Sequence, residues 1–123
     1  MNTGRPASRD HQHTLRVHVR RLSARRHLVT VAGALDLHTA AHLADALRPL
    51  VLTGGHSVLV DLSGVGFLDS TGLTCLIAVY RTARGTGARL ALIAPSERVR
   101  RMLALTGTDQ VLHSYATVDS VPD

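Results

Sequence analysis

The chain has no lysine and no tryptophan, a single cysteine, and three aromatic residues, Phe67, Tyr80 and Tyr115. Each scarcity excludes something. With Cys75 alone, no internal disulfide can form, which fits a reducing compartment. Without lysine there is no Gly-Lys-Ser/Thr phosphate loop. Without aromatics among the arginines there is no platform for stacking bases, so nucleic acid is not an expected partner. No apolar run approaches the ~20 residues of a membrane span. The first residues, MNTGRPASRDHQH, contain no hydrophobic leader segment. A cytoplasmic location without membrane contact is therefore expected.

What is present suits one folded domain. The 123 residues are 45% hydrophobic, and the net charge is +5, carried entirely by arginine. Such a length supports a single core, which must be built from Leu, Val, Ile and Ala. Seven of the 14 arginines lie between Arg5 and Arg26. Residues 1–13 read as a basic, disordered arm.

The hydropathy pattern then alternates. Thr14 to Arg20 and His27 to Gly33 show the period of two that marks half-buried strands. The segment Arg21 to Arg26 is short enough to join them as a hairpin. In ALDLHTAAHLADALRPLVL, Leu43, Leu47, Leu50 and Val51 fall on one helical face. Thr39 or Asp36 can cap this helix, and Pro49 predicts a kink or an early end. Ser57 to Leu62 is an almost continuous apolar run, the mark of a strand covered on both faces. A glycine-rich loop follows, and from Ser70 the pattern turns helical, with Leu73, Leu76, Ile77 and Tyr80 on one face. Gly85 or Gly87 can end this helix, and Ala88 to Ala94 forms a second buried strand. Ser96 caps a third helix, with Val99, Met102 and Leu103 inward, and Gly107 ends it. Val111 to Tyr115 reads as a last strand, and the tail from Ala116 has room for a short helix. The order β-β-α-β-α-β-α-β(-α) predicts an α/β domain with a mixed sheet and helices packed on it.

The segment VLVDLSGVGFLDSTGL, Val58 to Leu73, carries the chemistry. Asp69-Ser70-Thr71-Gly72 stands between a strand and a helix. It reads in three ways: as a helix cap, a nucleophile or a phosphorylation site. The nucleophile elbow needs Gly-x-Ser-x-Gly, and Leu68 occupies the first glycine's place. Gly64-Val65-Gly66 begins like a dinucleotide fingerprint, but Asp69 stands where its third glycine belongs. His38 and His42 have zinc-helix spacing, yet Thr39 replaces the zincin glutamate and no third ligand follows. Cys75 beside the apolar stripe reads as a buried small hydrophobe. No enzymatic constellation, metal site or cofactor is expected. A cap explains Asp69 alone. Ser70 and Thr71, on a loop made sticky by Phe67 and Leu68, fit a modified partner surface. Phosphate there adds about −1.5 to −2 charges beside the positive helix end.

The segment from Val58 through Gly107, with VTVAGALDLHTAAHL upstream, resembles the STAS domain of bacterial anti-sigma factor antagonists. The similarity spans about residues 14–115. On that basis 14–118 form the domain and 119–123 a short tail. The resemblance implies a non-enzymatic partner-switching protein of transcription regulation and stress response. In such proteins the unphosphorylated form binds an anti-sigma factor, a GHKL-type serine kinase, and frees the sigma factor. Phosphorylation breaks the complex, and a PPM-type phosphatase restores it. The acceptor falls on Ser70, with Thr71 as the fallback. The partner-binding set comprises Asp36, Leu37, His38, Thr39, Phe67, Leu68, Asp69, Thr71 and Gly72, with Thr71 and Gly72 allowing close approach of the kinase. A monomer or weak dimer is expected. Ala34 stands where the family usually has Glu. The alternative within the same fold is a scaffold or ligand-sensing STAS module without phosphoswitching.

Overall fold

A computed structural model of the chain describes residues 14–122; the basic arm, expected at 1–13, lies outside the described residues. The elements run β1 (Leu15–Ser23), β2 (Arg26–Leu35), α1 (Ala40–Val51), β3 (Ser57–Leu68), α2 (Ser70–Thr86), β4 (Arg89–Ile93), α3 (Glu97–Thr106) and β5 (Ser114–Tyr115). Short 3-10 turns occupy Thr108–Gln110 and Val118–Ser120. The five strands form one sheet in the order β1-β2-β3-β4-β5. β1 and β2 are an antiparallel hairpin, and every later pairing is parallel. The mixed α/β sheet with three helices is therefore the architecture expected from the hydropathy pattern.

Alternation in β3 divides the core. Val58, Val60 and Leu62 join Leu43, Leu47 and Val51 of α1, Leu76 and Val79 of α2, and Val99 and Leu103 of α3. Leu59 points the other way and packs with Ala91, Ile93, Leu28, Val118 and Val121. A strand buried on both faces needs apolar residues at consecutive positions, which is what 58–60 supply. Each fully buried Leu or Val contributes about 1.5–3 kcal/mol over its exposed state.

Local signals set most boundaries. The Asp69 carboxylate caps α2, and Gly87 ends it in the left-handed region at φ 83°. Ser96 Oγ accepts from Val99 N–H at the start of α3 and donates to the Val65 carbonyl at 2.6 Å, tying that helix to β3. Gly107 closes α3 at φ 74°.

Four boundaries depart from expectation. α1 does not end at Pro49 but continues to Val51. A single proline removes one N–H, while burial of Leu47 and Val51 holds the last turn against the sheet. β3 does not stop at Leu62. The expected glycine loop, Gly64 to Gly66, is strand, because β2 pairs with it as far as Leu35 opposite Leu68, across two irregularities. The hairpin strands are longer than predicted and leave only Ala24 and Arg25 to turn the chain. The last strand shrinks to two residues. The 3-10 turn after Gly107 takes up 108–110, and Leu112 goes into the helix-side core at 1% exposure. The tail carries the short turn Val118–Ser120.

Candidate functional site

Parallel pairing brings the carboxyl ends of β2 and β3 side by side, with Leu35 opposite Leu68. Loops leaving such ends form the usual ligand and partner surface of parallel sheets. Here those loops are Asp36–Thr39, leading into α1, and Asp69, leading into α2.

Asp69 joins the two loops. Its Oδ1 accepts the Gly72 N–H at 2.9 Å, a standard cap that satisfies one unpaired donor of the first turn. Its Oδ2 accepts the Leu37 N–H at 3.3 Å. The Asp69 N–H donates to the Leu35 carbonyl at 3.3 Å. One residue therefore starts α2 and anchors the loop ahead of α1.

The Asp36 loop is braced from within. Asp36 Oδ1 accepts the His38 N–H at 2.9 Å. Thr39 Oγ1 accepts the Asp36 N–H at 3.0 Å and donates to the Ala34 carbonyl at 2.7 Å. Thr39 sits at the N-cap of α1 but makes no side-chain cap bond, because its hydroxyl is committed to β2. Asp36 and Thr39 are each 5% exposed.

The structure thus separates the expected site residues into two groups. Leu37, His38, Phe67 and Ser70 are exposed, with Thr71 partly so. Leu37 and Phe67 are 69% and 45% exposed, large for apolar side chains. Asp36, Thr39, Leu68 and Gly72 were expected to face a partner, but they are buried. Leu68 belongs to the core, since it lies in the strand and not on a sticky loop. Gly72 permits a close approach within the chain itself. A Cβ there would overlap the Leu35 carbonyl oxygen and come within 2.9 Å of Leu68 Cδ1. Asp69 is partly buried and acts through backbone N–H groups.

Ser70 is the first residue of α2, and among the described residues its hydroxyl has no hydrogen-bond partner. The unpaired N–H groups of the helix start favour a negative group at this end.

A shallow groove between α1 and α2, lined by Ala40, Ala41, Ala44, Thr71, Thr74 and Cys75, adjoins the site. Sequence reasoning did not single it out; the run of alanines in α1 was its only signal. Cys75 is half-buried, and its Sγ donates to the Ala40 carbonyl at 3.4 Å. Burial pushes its thiol pKa up, against weaker opposing pulls from Arg48 and the Ala44 backbone. This agrees with a packing role. His38 and His42 are both exposed, and among the described residues no group of three or more His, Cys, Asp or Glu could hold a metal ion. Among the same residues, no helix is long and apolar enough to cross a membrane.

Comparison with known proteins agrees with this geometry. The STAS domain family model matches residues 20–121, and the chain belongs to that family. It is 33% identical over 85 residues to an anti-sigma-B factor antagonist of Staphylococcus epidermidis, covering 69% of this chain and 79% of the relative. An anti-sigma factor antagonist from Mycobacterium paratuberculosis shares the fold with a TM-score of 0.76 at 31% identity, over 87% of this chain and 90% of that one. SpoIIAA in its unphosphorylated form matches with a TM-score of 0.70 at 18% identity, over 85% of this chain and 90% of the other, a likeness of fold.

Proposed function

We propose that this protein is an anti-sigma factor antagonist, a binding module and not an enzyme, whose grip on its partner is controlled by phosphorylation of Ser70. The observation that carries the reading is the unengaged, exposed Ser70 hydroxyl at the start of α2, with exposed Phe67 at the end of β3 and exposed Leu37 on the loop that Asp69 anchors. Both 30%-class relatives bear the antagonist name.

In this reading the partner is an anti-sigma factor that is also a serine kinase of the GHKL type. It brings its own ATP, consistent with the lack of any phosphate-loop lysine in this chain. Unmodified protein offers Leu37, His38 and Phe67 as contacts, and its binding frees the sigma factor. Ser70 Oγ then accepts the phosphoryl group. The modification adds about −1.5 to −2 charges next to Asp69. The helix start stabilises that charge by about 0.3–1 kcal/mol, so the fold tolerates it. The docked partner meets new bulk and charge, and a loss of ~2.7 kcal/mol lowers affinity a hundredfold. A PPM-type phosphatase resets the switch. On this reading the protein works in the cytoplasm, beside its sigma factor.

Incubation with the cognate kinase and labelled ATP tests the assignment. Label is expected on the wild-type chain and not on Ser70→Ala, with Thr71→Ala labelled normally. Equal labelling of Ser70→Ala, or label lost only in Thr71→Ala, would move the acceptor. Equal partner affinity of the phosphorylated and bare forms would favour a scaffold without a switch.

A further inference from the structure

The charge of this chain is not spread over its surface. Residues 14–35, the β1–β2 hairpin, hold Arg16, Arg20, Arg21, Arg25 and Arg26 and no Asp or Glu. The remaining nine arginines are matched by nine acids, so the whole net charge of +5 resides on the hairpin. Arg16, His18 and Arg20 are all exposed and alternate along β1. They share the sheet face of Leu22, away from the helices, while Val17 and the 42%-exposed Val19 point to the helix side.

Among the described residues, β1 is also a free edge. It pairs only with β2, and among the described residues nothing hydrogen-bonds its outer side. Every second residue of such a strand presents its N–H and C=O outward. The opposite edge, β5, is only two residues long and offers little to pair with. β1 is nine residues long.

We propose that the outer edge of β1 is a docking site for an extended acidic polypeptide segment, which adds to the sheet as a further strand and sets its carboxylates against Arg16 and Arg20. Its main chain takes the unused ladder groups, the source of affinity in strand addition. Its alternate side chains meet the arginines on one face and Val17 and Val19 on the other. A second copy of this chain is a poor occupant, because edge pairing of two β1 strands sets arginines beside arginines. Nucleic acid has no use for the backbone edge and finds no aromatic side chain on the hairpin to stack against. The site shares no residue with the Ser70 surface, so it stands or falls independently of the phosphorylation reading.

The test uses the full chain, isotope-labelled for NMR, and a blocked peptide of alternating Glu and Val, about nine residues long to match β1. Amide shifts confined to β1 and slowed exchange of its outward N–H groups are expected. The same peptide with Lys for Glu should leave β1 unchanged. The double variant Arg16→Glu/Arg20→Glu should bind about tenfold more weakly or worse, while Arg98→Glu/Arg100→Glu on α3 binds as wild type. Should charge reversal unsettle the hairpin, Arg16→Gln/Arg20→Gln gives the same readout with a milder change. Shifts without exchange protection, shifts away from β1, equal binding by the arginine variants, or preferential protection by a short DNA duplex would each overturn the proposal.

Discussion

Asp69 and Leu37 lie 32 positions apart in the chain, yet the Asp69 carboxylate accepts the Leu37 N–H at 3.3 Å while its other oxygen caps α2 through Gly72 at 2.9 Å. The two loops of the candidate surface are therefore one mechanical unit. Removing the carboxylate should cost more than a cap alone, which is worth about 1 kcal/mol. Asp69→Ala is expected to destabilise the protein by about 1–2 kcal/mol, since the carboxylate also serves Leu37. Asp69→Asn, with one acceptor oxygen left, should fall between. Urea unfolding measures the cost, and faster amide exchange at Leu37 identifies its origin.

Three glycines near the site answer differently to alanine. Gly72→Ala forces a Cβ into the Leu35 carbonyl and is expected to cost about 2 kcal/mol or more. Gly64→Ala meets Ala32 Cβ at 2.9 Å and the Ala32 Cα and Val31 carbonyl oxygen at 3.2 Å; it should cost about 1 kcal/mol, less than Gly72→Ala, because no backbone atom comes as close as the Leu35 carbonyl does there. Gly66 has nothing within 4 Å and no positive φ, so Gly66→Ala should be neutral or add about 0.4–1 kcal/mol by restricting the unfolded chain. Parallel melts of the three variants check this order; a Gly72→Ala protein as stable as wild type would contradict the packing at the start of α2.

Phe67 and Leu37 should matter for binding and not for folding. Both are exposed, so Phe67→Ala and Leu37→Ala should change stability by less than about 0.5 kcal/mol. Phe67→Ala, the loss of an aromatic anchor, is expected to weaken anti-sigma factor binding by about tenfold or more. Ser70→Glu should likewise spare the melting temperature while lowering affinity. Calorimetric titration beside thermal unfolding separates the two effects.

A pH dependence of stability is expected from the turn end of the hairpin. His27 stacks on His56 with ring centroids 5.5 Å apart. Burial lowers the His27 pKa from its ordinary 6.5, and the charges of His56 and Arg21 lower it further. The folded state thus binds this proton less readily than the unfolded chain. The associated stability is present above the unfolded pKa and is lost as pH falls toward the lowered folded pKa. Melting temperatures at pH 7.5 and 5.5 should differ less in His27→Gln than in wild type. An identical acid loss in both would remove His27 from the account.

Much of this was written in local pattern. Alternation gave β1 and β2, the apolar run at 57–62 gave the doubly covered strand, and Asp69, Ser96, Gly87 and Gly107 marked helix ends. These signals act within a few residues, where backbone geometry and side-chain capping are decided by neighbours. The Asp69-Ser70-Thr71-Gly72 segment and its place between strand and helix were legible for the same reason. The length of β3 was not. Gly64 and Gly66 look like loop residues until β2 lies alongside and supplies their ladder partners, which is a contact across sequence. Nor could sequence distinguish surface from support at the site. Asp36, Thr39 and Leu68 each adjoin an exposed residue in the chain, and the closure of β2 against β3, with α2 packed on their ends at Gly72, is what buries them. Burial is a property of the packed sheet, decided by contacts between segments that the chain order keeps apart.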